Sequence, residues 1–152
     1  MSNKTTLKQI RAGLGDLILR LDGSGDLATY IPPAHVYKPG SAEAMSTKDA
    51  AYPKAVIAFD GGISKLMVGR ATERSVVADL VFTFKSTKSN QTDPTEQAES
   101  CYEDMEAILS ADRTLGGLVT SVVLEEWTTD SGYAAPEGLC LCRLRINYSY
   151  RS

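Results

Sequence analysis

The most regular hydrophobic spacing lies near the N-terminus. Leu7, Ile10, Leu14, Leu17, Ile18 and Leu21 recur at intervals of three and four, which puts them on one stripe of a helix over 5–22. Thr5 or Thr6 can cap its start, and Gly23 can end it in a left-handed turn. Gly13 and Gly15 each weaken it by up to about 1 kcal/mol relative to alanine, so packing of the stripe must supply the difference. A second helical stripe is clearer. Ala98, Cys101, Tyr102, Met105, Ile108 and Leu109 follow Asp93, a good N-cap, and Pro94, suited to the first helical position. Glu96 completes an Asp-x-x-Glu variant of the capping box.

Elsewhere the period is two. Val76, Ala78, Leu80, Phe82 and Phe84 alternate with Val77, Asp79, Val81, Thr83 and Lys85, the pattern of a half-buried strand over 75–85. Cys140, Cys142, Leu144, Ile146, Tyr148 and Tyr150 make one face of a last strand over 139–150, with Leu141, Arg143, Arg145, Asn147 and Ser149 on the other. Val56, Ile57 and Phe59 mark a first strand over 54–61 that ends at the turn signal Asp60-Gly61-Gly62. A short strand over 66–70 follows, and 118–127 is a strand released by Leu115, Gly116 and Gly117. These elements predict one α+β domain over residues 1–152, with two helices packed on a mainly antiparallel sheet of about five strands.

Residues 23–52 carry no sustained period. Gly23, Gly25, Pro32, Pro33, Pro39 and Gly40 punctuate them. A loop of this length suggests a long arm, flexible from Gly40 to Asp49 and partly mobile in the free subunit. The pairs Tyr30-Ile31 and Val36-Tyr37 could anchor it to this domain or to a neighbour.

Composition narrows the function by exclusion. The 152 residues carry a net charge of −3, without the basic excess of a nucleic-acid binder. No apolar run approaches the roughly 20 residues that span a bilayer, and the first residues lack the apolar core of a signal peptide. A cytoplasmic origin is the expectation. The three cysteines Cys101, Cys140 and Cys142 are expected to be free and buried. His35 is the only histidine, inside a Pro-rich loop, so neither a nucleophile–histidine set nor a histidine metal cluster can be built. The glycines do not match a phosphate-binding loop. No catalytic residue, cofactor or metal site is expected.

One charge pattern stands out. Residues 93–112 hold Asp93, Glu96, Glu99, Glu103, Asp104, Glu106 and Asp112 and no lysine or arginine, so the rest of the chain is net +4. Glu96, Glu99, Glu103 and Glu106 lie opposite the apolar stripe. They form either a solvated helix face or a surface that meets Arg143, Arg145 or Arg151 of another copy.

From Tyr52 onward the chain resembles the tail terminator family of long-tailed phages. The resemblance rests on three pieces. Tyr52-Pro53-Lys54-Ala55-Val56-Ile57 leads into the first strand. Asp112-Arg113-Thr114-Leu115-Gly116-Gly117 ends the second helix. Leu144-Arg145-Ile146-Asn147-Tyr148-Ser149-Tyr150-Arg151 closes the last strand. The likeness, from Tyr52 onward, spans about two thirds of the chain. The resemblance implies a structural protein of the virion at the tail–neck junction, assembled in a host bacterial cytoplasm. It would form a ring, hexameric in expectation, that caps the tail tube and stops its polymerisation. Its partners would be other copies of itself, the tail tube protein, the head–neck stopper or connector, and a sheath protein if the tail is contractile. DNA would pass the lumen without specific binding, and no membrane is involved. The alternatives are another head–tail connector, such as a stopper or tail-completion protein, and a small α+β ligand-binding module or enzyme.

Overall fold

The computed structural model describes residues 5–46, 48–66, 71–86, 93–129 and 137–151. Its first helix, α1 (Leu7–Ile18), opens with a reciprocal capping box. Thr6 Oγ1 accepts from the Gln9 N–H at 3.2 Å, and Gln9 Oε1 accepts from the Thr6 N–H at 2.9 Å. The helix stops short of the span that spacing predicts, yet Leu21 is still buried. Tight-turn bonds from Arg20 to Leu17 O and from Leu21 to Ile18 O carry the stripe onward. Gly23, at φ +72°, serves the next turn, where Asp22 bridges to Tyr30, and does not end the helix.

The sheet has the order β1-β2-β3-β5-β4, with β1 (Val36–Tyr37), β2 (Lys54–Leu66), β3 (Ala71–Lys85), β4 (Ser121–Thr129) and β5 (Glu137–Arg151). A one-turn helix α2 (Ala42–Met45) lies between β1 and β2. All neighbouring strands pair antiparallel except β1 with β2. The fold is therefore α+β, two long helices against a mostly antiparallel five-stranded sheet.

The five strands are not quite those the pattern predicts. Asp60-Gly61-Gly62 is no hairpin turn. It is a bulge inside a continuous β2, with the register shifting between Phe59 and Gly62. Turn and bulge share the same glycine signal, because both need a left-handed residue and a close backbone approach. Gly61 sits at φ +83°, and a Cβ on Gly62 would meet Ser75 O at 2.2 Å. Of the predicted strand over 66–70, Leu66 is the last residue of β2, and 67–70 lie outside the described residues. The fifth strand comes instead from the arm, where two-residue β1 pairs with Ala55 and Val56. A pairing so short leaves no period to read.

The second long helix, α3 (Pro94–Ala111), is capped by Asp93, whose carboxylate accepts from Thr95 N at 2.9 Å. Its first turn lies directly on β5, where a Cβ on Gly138 would sit 2.2 Å from Pro94 O. α3 packs on β3, β4 and β5, and α1 on β2. Both cover one face of the sheet. Ala55 and Ile57 of β2, the even residues from Val76 to Phe84, and Cys140, Cys142, Leu144, Ile146 and Tyr148 form the floor of the core. The opposite face carries Asp79, Arg143 and Arg145.

Candidate functional site

The predicted acidic stripe is exposed as expected: Glu96, Glu99, Glu103 and Glu106 all lie on the outer side of α3. Glu106 accepts a hydrogen bond from Tyr102 Oη, which pushes the phenol pKa up. The Tyr102 ring stacks on Trp127 of β4, centroids 3.9 Å apart and planes inclined by 24°. Trp127 keeps 47% of its surface exposed. Beside this pair a shallow groove of about 290 Å³ runs between α3 and β4, lined by Glu106, Leu109, Ser110, Arg113, Val122 and Leu124. Among the described residues, no ion pair or hydrogen bond involves the carboxylates of Glu96, Glu99 and Glu103.

Asp104 departs from the stripe. It is one of the seven acidic residues of 93–112, but it is 7% exposed and accepts from the backbone N–H groups of Ala28 at 3.1 Å and Thr29 at 2.8 Å. Its spacing, three after Cys101 and four before Ile108, was the readable signal that it lies on the buried side.

Arg143 and Arg145 already have partners within the subunit. Arg143 donates from Nε to Asp79 Oδ1 at 2.9 Å, and from Nη2 to Asp79 Oδ2 at 3.1 Å and Asp60 Oδ2 at 2.8 Å. Arg145 takes Glu125 in a fork at 3.1 and 3.2 Å and also reaches Ser75 Oγ at 3.1 Å. These pairs lie on the face opposite α3, so one copy cannot join its own acidic helix to them. The side chain of Arg151 lies outside those the structure describes; its backbone pairs with Ala71 at the end of β5.

The Leu115, Gly116, Gly117 motif is a structural knot. These three consecutive residues adopt φ of +50°, +69° and +91°. Leu115 alone carries a Cβ, and an unfavourable left-handed backbone of about 1–2 kcal/mol is offset by burial of its side chain in the core. Asp112 Oδ1 accepts from Gly116 N at 3.1 Å and Thr114 N at 3.3 Å, while Asp112 Oδ2 takes Arg20 at 2.8 Å. The Gly116 N–H and then the Arg20 guanidinium hold the Asp112 carboxyl below the usual range. The turn also seats α1: a Cβ on Gly13 would stand 3.3 Å from Leu118 and 3.5 Å from Leu115. The N–H of Val122 then donates to Arg113 O at 2.7 Å, closing the first part of the β4 edge.

The remaining reactive groups are occupied structurally. His35 Nδ1 lies 2.9 Å from Pro53 O, and its ring stacks on Tyr37. Lys54 is buried, with Nζ donating to Ala44 O at 2.9 Å and Ser46 O at 2.7 Å, and burial pushes its pKa down. Pattern reading missed this lysine, because an alternating strand gives no reason to bury a cation. The three thiols are free and buried, and all are pushed up: Cys101 chiefly by burial, and the other two chiefly by sulfur–sulfur hydrogen bonding along the cluster. Among the described residues, no group of three or more metal-ligating side chains is placed to hold an ion. No described helix is long and apolar enough to cross a membrane. Neither the known family models nor the curated proteins match this sequence.

Proposed function

We propose that the protein is a tail terminator of a long-tailed phage, a non-enzymatic subunit of a ring that caps the tail tube and joins it to the neck. The observation that carries the reading is the role of the Asp112–Gly117 motif. It ends α3, seats α1 against Gly13 and launches β4, so one short motif holds three elements of the fold in place. The other two pieces of the resemblance enter β2 at Tyr52–Pro53 and run through β5, between β3 and β4. All three pieces therefore fall where they set the architecture. The rest of the molecule suits assembly by surfaces: ionisable groups are tied into the fold or spread over faces.

A ring of identical subunits in head-to-tail contact needs two different complementary patches on each. Mass measurement in solution, alone and with cognate tail tubes, tests the reading. Rings, or discrete caps seen by electron microscopy at one end of tubes whose growth has stopped, are the expected result. A protein that stays monomeric and leaves tube polymerisation unaffected overturns it.

A further inference from the structure

We infer that residues 41–46 form a releasable strap, closed over the start of β2 by the ammonium of Lys54, that opens while the sheet stays folded. The inference stands apart from the ring reading. The segment contains α2 and buries none of its described side chains; Met45 is 75% exposed. A one-turn helix is too short to persist on its own hydrogen bonds. Ser41 supplies the local ones: its Oγ accepts from Ala44 N at 3.2 Å and its carbonyl from Met45 N at 3.3 Å. Among the described residues, the hydrogen bonds from the sheet to this segment come from Lys54, whose Nζ donates to Ala44 O at 2.9 Å and Ser46 O at 2.7 Å. Those carbonyls lie at the C-terminal end of α2, where a cation serves orphan acceptors and the negative end of the helix.

The chain is anchored on both sides of the strap. Before it, Val36 and Tyr37 pair with Ala55 and Val56, and His35 Nδ1 lies against Pro53 O. After it, Ala51 and Tyr52 are buried. Gly40, at φ +81° with open space where a Cβ would stand, joins the first anchor to the strap and can turn without a clash. Opening is therefore a local swing between two fixed points, which leaves the apolar core untouched.

The clasp itself is poised. Lys54 is 6% exposed, and burial disfavours its charged form, against an opposing pull from Glu137. Its ammonium lies 4.6 Å from the centre of the Tyr52 ring, whose hydroxyl donates to Glu137. Opening exchanges two carbonyl bonds for water at a group that thereby regains its hydration, so the closed and open forms differ little in free energy. The Tyr52 ring holds the ammonium at the start of β2 in either form. A leucine at this position would continue the strand equally well, but it could not bond the strap.

Amide hydrogen exchange of the full chain tests the strap. In Lys54→Met, the amides of Ala44 and Met45 should exchange at least about tenfold faster than in wild type, since losing charged hydrogen bonds enlarges the open population by that order. Amides of β3 and β5 should keep their wild-type rates. Unchanged exchange at Ala44 and Met45 would overturn the clasp. An equal acceleration throughout β3 and β5 would also overturn it, because Lys54 would then serve the whole fold. Labelling of wild-type Lys54 covers a substitution that harms folding. A succinimidyl ester should acylate its amine at the pace of strap exchange and well before the β3 amides exchange. Labelling no faster than exchange in β3 would mean that the strap opens only with the sheet, and the inference would fall.

Discussion

Asp104 in the middle of α3 accepts the N–H of Thr29, 75 positions earlier in the chain, at 2.8 Å. The same carboxylate oxygen takes the N–H of Ala28. One buried acid thus ties the segment after α1 to the second helix, and Ile31 follows it into the core. Removing it would leave two backbone donors without a partner. Asp104→Ala should cost about 2–4 kcal/mol of unfolding free energy and should speed hydrogen exchange at Ala28 and Thr29. A change below about half a kilocalorie in urea titration would show that water replaces the carboxylate freely.

Leu144 tests the core face of β5. It is fully buried between α3 and the sheet. Truncation to alanine should destabilise by roughly 2–4 kcal/mol through lost transfer energy and a residual cavity. Leu141, on the opposite and partly open face, should cost clearly less when truncated. Equal losses would mean that both faces of the sheet are equally closed.

The arginines of the open face act within the subunit. Arg143 is about one third exposed and its partner Asp79 much less so. Neutralising Arg143 and Arg145 together should lower stability modestly, because solvent screens such exposed pairs. The loss should shrink at high salt, and the distribution of oligomers should not change. Sedimentation beside urea titration separates the two outcomes. Altered oligomers with unaltered stability would reassign these residues to the ring contact.

Asp112 links stability to acid. Its folded pKa is lowered by the Gly116 N–H and by Arg20. A carboxylate held down in the folded state stabilises at pH above its ordinary value, and that contribution is lost as pH falls through the folded value. Asp112→Asn should therefore be less stable than wild type near neutrality, with the gap closing below about pH 4. A gap that is constant across the acid range would exclude this linkage.

By itself, the sequence determined the two long helices, the buried face of β3 and β5, the free thiols and the exposed acidic stripe. Each of these is a local period of 3.6 or 2 sustained over enough residues to state which side is apolar. Tertiary structure decided what single residues cannot announce. Asp60-Gly61-Gly62 became a bulge because Ser75 of β3 lies against Gly62. Val36 and Tyr37 became a strand because Ala55 and Val56 were there to pair with them. The partners of the buried Asp104 and Lys54 came from chain segments distant from the acid and near the lysine, which brought backbone groups for them to bond. Arg143 and Arg145 were matched to Asp79 and Glu125 by strand register, which no pattern within β5 contains. A period along the chain tells which face is buried; only the partners across the fold tell whether a charge on either face is already satisfied.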